Sequence, residues 1–233
     1  MKIEVLGTRG EIESSAPWHS RHSGVLVNDT VLFDLGEAEF LDYDPKCIFI
    51  THLHPDHAYF VRSGAETPEM DVPVYAPEPS EDLPGITVIE GTVECADLAV
   101  TPIPTHHSKN VESRAYVIEE KPQGKRLLYT GDLIWINKEH WGTIGRVDMV
   151  VTEGSFLRKG GMVRRDKETG ELFGHKGVGD LVRLLGKFTP RIVVMHFGSW
   201  FYRDIAAARK KLRSLGNEVT TVEAARDGQE FEI

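Results

Sequence analysis

Short apolar stretches alternate with polar turns through the first third of the chain, and the pattern predicts strands at Ile3–Leu6, Gly24–Val27, Val31–Phe33 and Ile48–Ile50. Asn28-Asp29 supply a polar turn between the second and third. A short helix is predicted over Ala58–Gly64, then strands at Val72–Tyr75, Ile86–Ile89 and Leu98–Pro102, separated by turns containing Pro and Gly. The middle of the chain repeats the rhythm at Arg114–Glu119, Arg126–Tyr129 and Asp148–Val151. The last two are followed within two residues by Gly131-Asp132 and Glu153-Gly154, so each delivers a carboxylate at its carboxyl end. From Gly177 the period lengthens: Val178, Leu181, Val182, Leu184 and Leu185 recur at helical spacing until Thr189-Pro190 ends the segment. A buried strand at Arg191–Met195 then runs into His196, Asp204–Leu215 reads as an amphipathic helix, and Glu218–Val222 and Gln229–Ile233 close the chain as strands. Strands in two groups with helices between them predict an α/β fold, a four-layer αββα sandwich rather than one parallel sheet.

The 233 residues, 40% of them apolar, can bury a substantial core, and no Pro/Gly-rich linker divides them, so one domain over residues 1–233 is expected. No apolar run approaches 18 residues, and Met1-Lys2-Ile3-Glu4-Val5 leads straight into a strand pattern. A cytoplasmic protein without a membrane partner is the expectation. Cys47 and Cys95 lie outside any CxxC pattern, and Cys47 begins a buried strand, so reduced thiols are expected. The formal charge of -9 argues against a broad electropositive surface for long nucleic acids. It leaves phosphate substrates open, because divalent ions would reverse the potential at a site.

The most informative segment is His52-Leu53-His54-Pro55-Asp56-His57, directly after the apolar run Cys47-Ile48-Phe49-Ile50. In an extended segment residues 52 and 54 point to the same side, whereas Asp56 and His57 follow Pro55 and can turn toward a second centre. One loop could thus serve two metal ions. Nitrogen and oxygen donors without nearby thiols suit zinc, manganese or iron and exclude a thiolate zinc finger. Asp34, before Leu35-Gly36, is read as a turn or loop-bonding residue close to the site and not as a ligand.

These residues resemble the HxHxDH motif of the metallo-beta-lactamase fold superfamily, and the resemblance continues through Leu6-Gly7-Thr8-Arg9-Gly10, Leu32-Phe33-Asp34-Leu35-Gly36, Thr105-His106-His107-Ser108, Thr130-Gly131-Asp132 and Met195-His196-Phe197. It implies one ion on His52, His54 and a histidine of the 106–107 pair, a second on Asp56, His57 and His196, and Asp132 bridging both. Spacing alone does not choose between His106 and His107. In the phosphodiesterase branches the ligand commonly precedes a small hydroxyl residue, as His107 precedes Ser108, and His107 is preferred on that ground.

Thr152-Glu153-Gly154-Ser155-Phe156 and Gly174-His175-Lys176 resemble paired segments of the transfer-RNA 3′-processing endonuclease branch and its small phosphodiesterase relatives. The resemblance implies a His175 that gives a proton to the leaving oxygen or stabilises transition-state charge, oriented by Glu153. Lys176 departs from the small residue expected there. Asp56, His175 and Glu153 are the candidate catalytic residues, Asp56 doubling as a ligand. The stretch 162–173 reads as a hairpin at the active-site rim, and Arg158, Lys159, Arg164, Arg165 and Lys167 are candidates to meet substrate phosphates. The loop Trp18-His19-Ser20-Arg21-His22-Ser23-Gly24 is a candidate to cover the site or stack on a base or ring, and Trp200 to line its wall.

The acidic balance and the lack of a long Gly/Pro-rich arm point to a small phosphodiester or a short nucleic-acid-like substrate, with two divalent metal ions, zinc before manganese or iron. A homodimer is a family-level expectation. A thioesterase, glyoxalase-like hydrolase or lactonase would use much the same ligands and is the main rival. A non-catalytic metal-binding protein would not need to retain every ligand type with open coordination positions.

Overall fold

The computed structural model describes residues 1–233 and lays the strands out as two facing seven-stranded sheets. The first holds β1 (Lys2–Gly7), β2 (Gly24–Val27), β3 (Val31–Phe33), β4 (Cys47–Phe49), β5 (Val74–Ala76) and β6 (Thr87–Val88). The second begins with β7 (Val93–Cys95), β8 (Leu98–Pro104), β9 (Arg114–Glu120) and β10 (Arg126–Tyr129). The short helix α1 (Trp141–Ile144) precedes β11 (Met149–Gly154). A separate hairpin, β12 (Met162–Arg165) and β13 (Leu172–His175), is followed by α2 (Val178–Leu185), β14 (Arg191–Phe197), α3 (Ser199–Tyr202), α4 (Ile205–Arg213) and β15 (Thr221–Ala224). The last strand, β16 (Gln229–Glu232), returns to pair with β1 in the first sheet.

Both sheets follow one plan. Reading β16-β1-β2-β3-β4-β5-β6 and β7-β8-β9-β10-β11-β14-β15, three antiparallel pairings are followed by three parallel ones in each. The shared rhythm of the two halves is therefore a property of the topology.

Alternation along each strand builds the layers. On β14, Val193 and Met195 point between the sheets, whereas Ile192 and Val194 face α2 and α4. On β2, Val25 and Val27 point inward, whereas Leu26 joins Phe40 and Phe60 on the outside. The helices α2 and α4 cover the second sheet through Leu181, Leu185 and Leu212. The first sheet is covered by the 3-10 turns Ala38–Tyr43 and Tyr59–Val61. The architecture is the predicted α/β sandwich, with one outer layer made of shorter helical turns than expected.

The local differences have physical reasons. Ala58–Gly64 forms only the single 3-10 turn at Tyr59–Val61, because the Tyr59 N–H is taken by Leu35 O and Gly64 has a φ of 80°. The strand expected at Glu218–Val222 begins at Thr221, since the Asn217 side chain accepts from Val219 N and Thr220 N in a turn. Asn28 and Asp29 both have left-handed φ values, 50° and 55°, as a tight two-residue hairpin turn requires.

The expectation of reduced thiols is corrected: Cys47 and Cys95 are joined as a disulfide with their Cα atoms 6.7 Å apart. Cys47 points inward from the middle of the first sheet, and Cys95 ends the edge strand of the second, so facing sheets bring together residues 48 positions apart. No helix is long and apolar enough to cross a membrane.

Candidate metal centre

The carboxyl ends of β3, β4, β8, β10, β11 and β14 reach one edge of the sandwich and deliver Asp34, the 52–57 loop, His107, Asp132, Glu153 and His196 there. Backbone geometry is specialised at three of these ends. Asp34 and His196 hold left-handed φ values of 59° and 52°, a conformation that β-carbon sterics make costly and that surrounding packing must hold. At His196 the register of β11 against β14 skips one residue between Glu153 and Gly154, and this bulge aims the imidazole at the edge. Gly131 has a φ of 55°, and a β-carbon there would lie 2.6 Å from Thr51 Oγ1; only glycine lets β10 approach the histidine loop so closely.

Two donor groups result. The candidate ligating atoms of His52, His54 and His107 lie within 4.8 Å of one another, as do those of Asp56, His57 and His196. Asp132 stands between them: Oδ2 is 3.8 Å from His52 Nε2 and 3.6 Å from His107 Nε2, while Oδ1 is 3.5 Å from His57 Nε2 and 3.4 Å from His196 Nδ1. The structure brings His107 and not His106 to the cluster. His106 is exposed, with Nε2 3.2 Å from Asn137 Oδ1.

The buried atoms His52 Nε2, His57 Nε2 and Asp132 Oδ1 have no hydrogen-bond partner. Leaving buried polar atoms unpaired is costly, and all three face the centre of the cluster, where a cation would satisfy them together. On that test the donors fit a divalent metal, and their mixed nitrogen and oxygen character suits zinc, manganese or iron.

Hydrogen bonds behind the cluster fix which nitrogen faces it. His57 Nδ1–H donates to Asp34 Oδ2 at 2.7 Å, so Nε2 points inward. Asp34 is itself held by Thr51 N at 2.7 Å, Thr51 Oγ1 at 2.9 Å and Tyr129 OH at 2.6 Å. This extends the predicted role of Asp34 from loop bonding to positioning a cluster histidine. Replacing Asp34 with asparagine is expected to weaken metal retention about 10–100-fold, measured as bound metal after dialysis against graded chelator. Retention equal to wild type would remove that role.

His107 is fixed differently. Its Nδ1–H donates to Gly174 O at 2.9 Å, and Gly174 N–H donates back to His107 O at 2.7 Å. Gly174 has a φ of 115°, and a β-carbon there would collide with Met162 O. The β12–β13 hairpin thus locks onto His107 through a position only glycine can occupy. Lys109 latches the same hairpin, 3.1 Å from Asp166 Oδ2 and 5.5 Å from the centre of the Phe173 ring.

Burial holds His52 well below the usual imidazole range and lowers His54 to about 4, with neighbouring imidazoles adding to the effect; burial also lowers His107. Neutral imidazole is the form that ligates metals. Burial also works against charge on His57, but the carboxylates of Asp34, Asp132 and Asp56 outweigh it and raise His57 well above its ordinary value. Burial disfavours the Asp56 carboxylate, yet His57 and His196 hold it below the usual range.

Glu153 and His175 meet beside the cluster. The separation of His175 Nδ1 from Glu153 Oε2 is 2.9 Å, and Glu153 Oε1 accepts from Leu133 N at 2.7 Å, which leaves the carboxylate no freedom to turn. Burial lowers the His175 pKa, but Glu153 and Asp132 more than compensate and raise it to about 9.

His54, Asp56, Asp132, His175 and His196 line an open cavity of about 650 Å³, with Phe156, Met162 and Trp200 among its apolar walls. Trp200 is a wall, as predicted, pinned by its Nε1–H to Gly154 O at 2.8 Å. Of the basic residues singled out in the sequence, Arg158 lines this cavity, whereas Lys159, Arg164, Arg165 and Lys167 do not. Arg203, which the sequence reading passed over, does line it. A second cavity, about 510 Å³, lies on the far side of His107 against His106 and Trp135 and includes none of the seven candidate ligands.

The 18–22 loop does not form a cover. Trp18 is 68% exposed and absent from the cavity wall, and His19 packs on Phe197 and Phe201. His22 is buried 2.6 Å from Glu37 Oε1, and the next residue, Ser23, donates to Asp56 O at 3.0 Å, so this loop supports the histidine loop from behind.

Known structures of the same fold align along the whole chain. The metallo-beta-lactamase fold protein YhfI from Bacillus subtilis is 16% identical over 100% of this chain and 99% of its own, with a TM-score of 0.69. A diphosphatase of the PhnP family is 15% identical over 100% and 97%, at 0.67. The short form of human tRNase Z is 18% identical over 100% and 99%, at 0.63. At these identities they establish the fold. No curated protein matches the sequence. The clusters of metal-coordinating residues on this fold support a metal-dependent hydrolase. Residues 42–197 match the Beta-lactamase superfamily domain, more than half of the chain, and the protein belongs to that superfamily.

Proposed function

We propose that the protein hydrolyses phosphodiesters with two divalent cations, zinc before manganese or iron. His52, His54 and His107 would hold one, Asp56, His57 and His196 the other, with Asp132 facing both. Two such cations, when bound, supply a nucleophilic water at neutral pH and charge that stabilises the attacking and leaving oxygens of an in-line displacement.

The observation that carries the phosphodiester reading is His175 on the cavity wall beside Asp132, backed by the buried Glu153. With Nδ1 committed to Glu153, Nε2 of His175 is the nitrogen free to meet the substrate. From there it protonates a departing alkoxide or hydrogen-bonds a phosphoryl oxygen. Asp56 lines the same cavity and, besides holding the second cation, would accept a hydrogen bond from the attacking water. The acidic chain and the cavity volume fit a small diester or a short nucleic-acid end better than an extended duplex.

The test compares metal-reconstituted protein on bis(4-nitrophenyl) phosphate and on an activated thioester, with bound metal recorded for each preparation. Diester turnover exceeding thioester turnover is expected. The reverse order would move the assignment to an acyl hydrolase, and bound metal with neither activity would leave a metal-binding protein.

A further inference from the structure

The cavity-lining residues that the metal cluster and His175 leave unused include two arginines, Arg158 and Arg203. Each follows the carboxyl end of one of two adjacent parallel strands: Arg158 comes five residues after Glu153 at the end of β11, and Arg203 seven residues after His196 on β14. Pairing of those strands brings both guanidinium groups to the same mouth.

Neither arginine is neutralised. Arg158 is exposed, donates Nε–H to Gly161 O at 2.8 Å and lies 5.5 Å from the centre of the Phe156 ring, with no carboxylate within ion-pair distance. Arg203 is exposed, and its guanidinium makes no hydrogen bond or ion pair. Glu11 lines the same cavity and pairs with neither. In a chain carrying a formal charge of -9, what sets Arg158 and Arg203 apart is their placement: two guanidinium groups free of carboxylate partners line the same cavity as the metal cluster.

We infer that the cavity accepts a phosphodiester bearing a second, terminal phosphate, the diester lying at the metal centre and the terminal phosphate between Arg158 and Arg203. This deepens the phosphodiesterase reading and rests on it. Two positive charges match the roughly -1.5 to -2 of a phosphate monoester at neutral pH, whereas a carboxylate would leave one unanswered. The planar guanidinium fork suits bidentate contact with phosphate oxygens. Between the two anionic ends, Trp200, Phe156 and Met162 offer an apolar wall for a sugar or base.

The test uses two substrates that differ only in the terminal group: thymidine 5′-(4-nitrophenyl phosphate) and the same compound carrying a 3′-phosphate. The wild-type protein should favour the phosphorylated one in kcat/KM by about tenfold or more, and Arg158→Ala and Arg203→Ala should each reduce that ratio severalfold. Arg165→Ala, on the hairpin and outside the cavity, should leave it unchanged. Calorimetric titration with thymidine 3′,5′-bisphosphate against thymidine 5′-phosphate gives a readout independent of turnover, and the same two variants should lose the difference in affinity. Equal treatment of the two substrates, or a preference that survives both substitutions, would overturn the proposal. A binding preference that depends on both arginines without hydrolysis of either substrate would uphold the phosphate site and sink the phosphodiesterase reading instead.

Discussion

Alanine in place of His175 is expected to lower kcat on an alkyl phosphodiester by about 10²–10⁴ while the protein keeps its full complement of metal. Glu153, immobilised by Leu133 N, holds His175 Nδ1 at 2.9 Å, and the imidazole lines the cavity. An alkoxide needs a proton to depart, whereas a nitrophenolate needs little help, so the loss should shrink on a nitrophenyl ester. That dependence on the leaving group distinguishes proton donation from a structural contribution, which would depress both substrates alike. Bound metal decides a further point, because His175 Nδ1 is also 3.7 Å from Asp132 Oδ2. Loss of metal in the variant would make His175 part of the cluster and not its acid.

Asp132→Ala should act at the cluster itself. Its two oxygens face the two donor groups separately, and Oδ1 is a buried acceptor with no partner in the protein. Removing a group that merely orients a ligand costs about 10–100-fold in affinity, so removing one that faces both positions should cost at least about 100-fold and take activity with it. Metal per chain, measured by mass spectrometry after dialysis, checks this, with far-ultraviolet circular dichroism to establish that the variant is folded. Two ions retained per chain would mean that Asp132 does not join the positions.

Much of this centre was legible because its chemistry is concentrated in short segments. Three imidazoles and a carboxylate in the 52–57 loop announce a cluster without any knowledge of topology, and short continuous apolar runs such as β2 and β14, buried on both faces, could be placed within a residue or two. What escaped were features that exist only once segments meet. Arg203 carries no signal of its own: Trp200, three residues earlier, marks the segment as a wall of the site, but an isolated arginine after a short helix reads as an ordinary surface residue. The Cys47–Cys95 pair needs facing sheets before its partners can be recognised. Trp18 misled for the opposite reason: an aromatic side chain in a loop reads as a binding group, but the positive φ of 66° turns this one to solvent. The left-handed backbone at His196 was also beyond sequence, because only the bulge against Glu153 demands it.

The reciprocal bonds between His107 and Gly174 bear on how such proteins diversify. The β12–β13 hairpin carries Met162 into the cavity wall and at the same time supplies the carbonyl that holds His107 Nδ1. In the proposed site, recognition and metal retention would therefore not be separate modules. A hairpin transplanted from a relative to change selectivity would have to bring an acceptor to the same imidazole, or the recipient would exchange its old substrate for an empty centre. Drift in this segment is constrained from within, and design efforts would do well to keep Gly174 and Met162 together as one transferable unit.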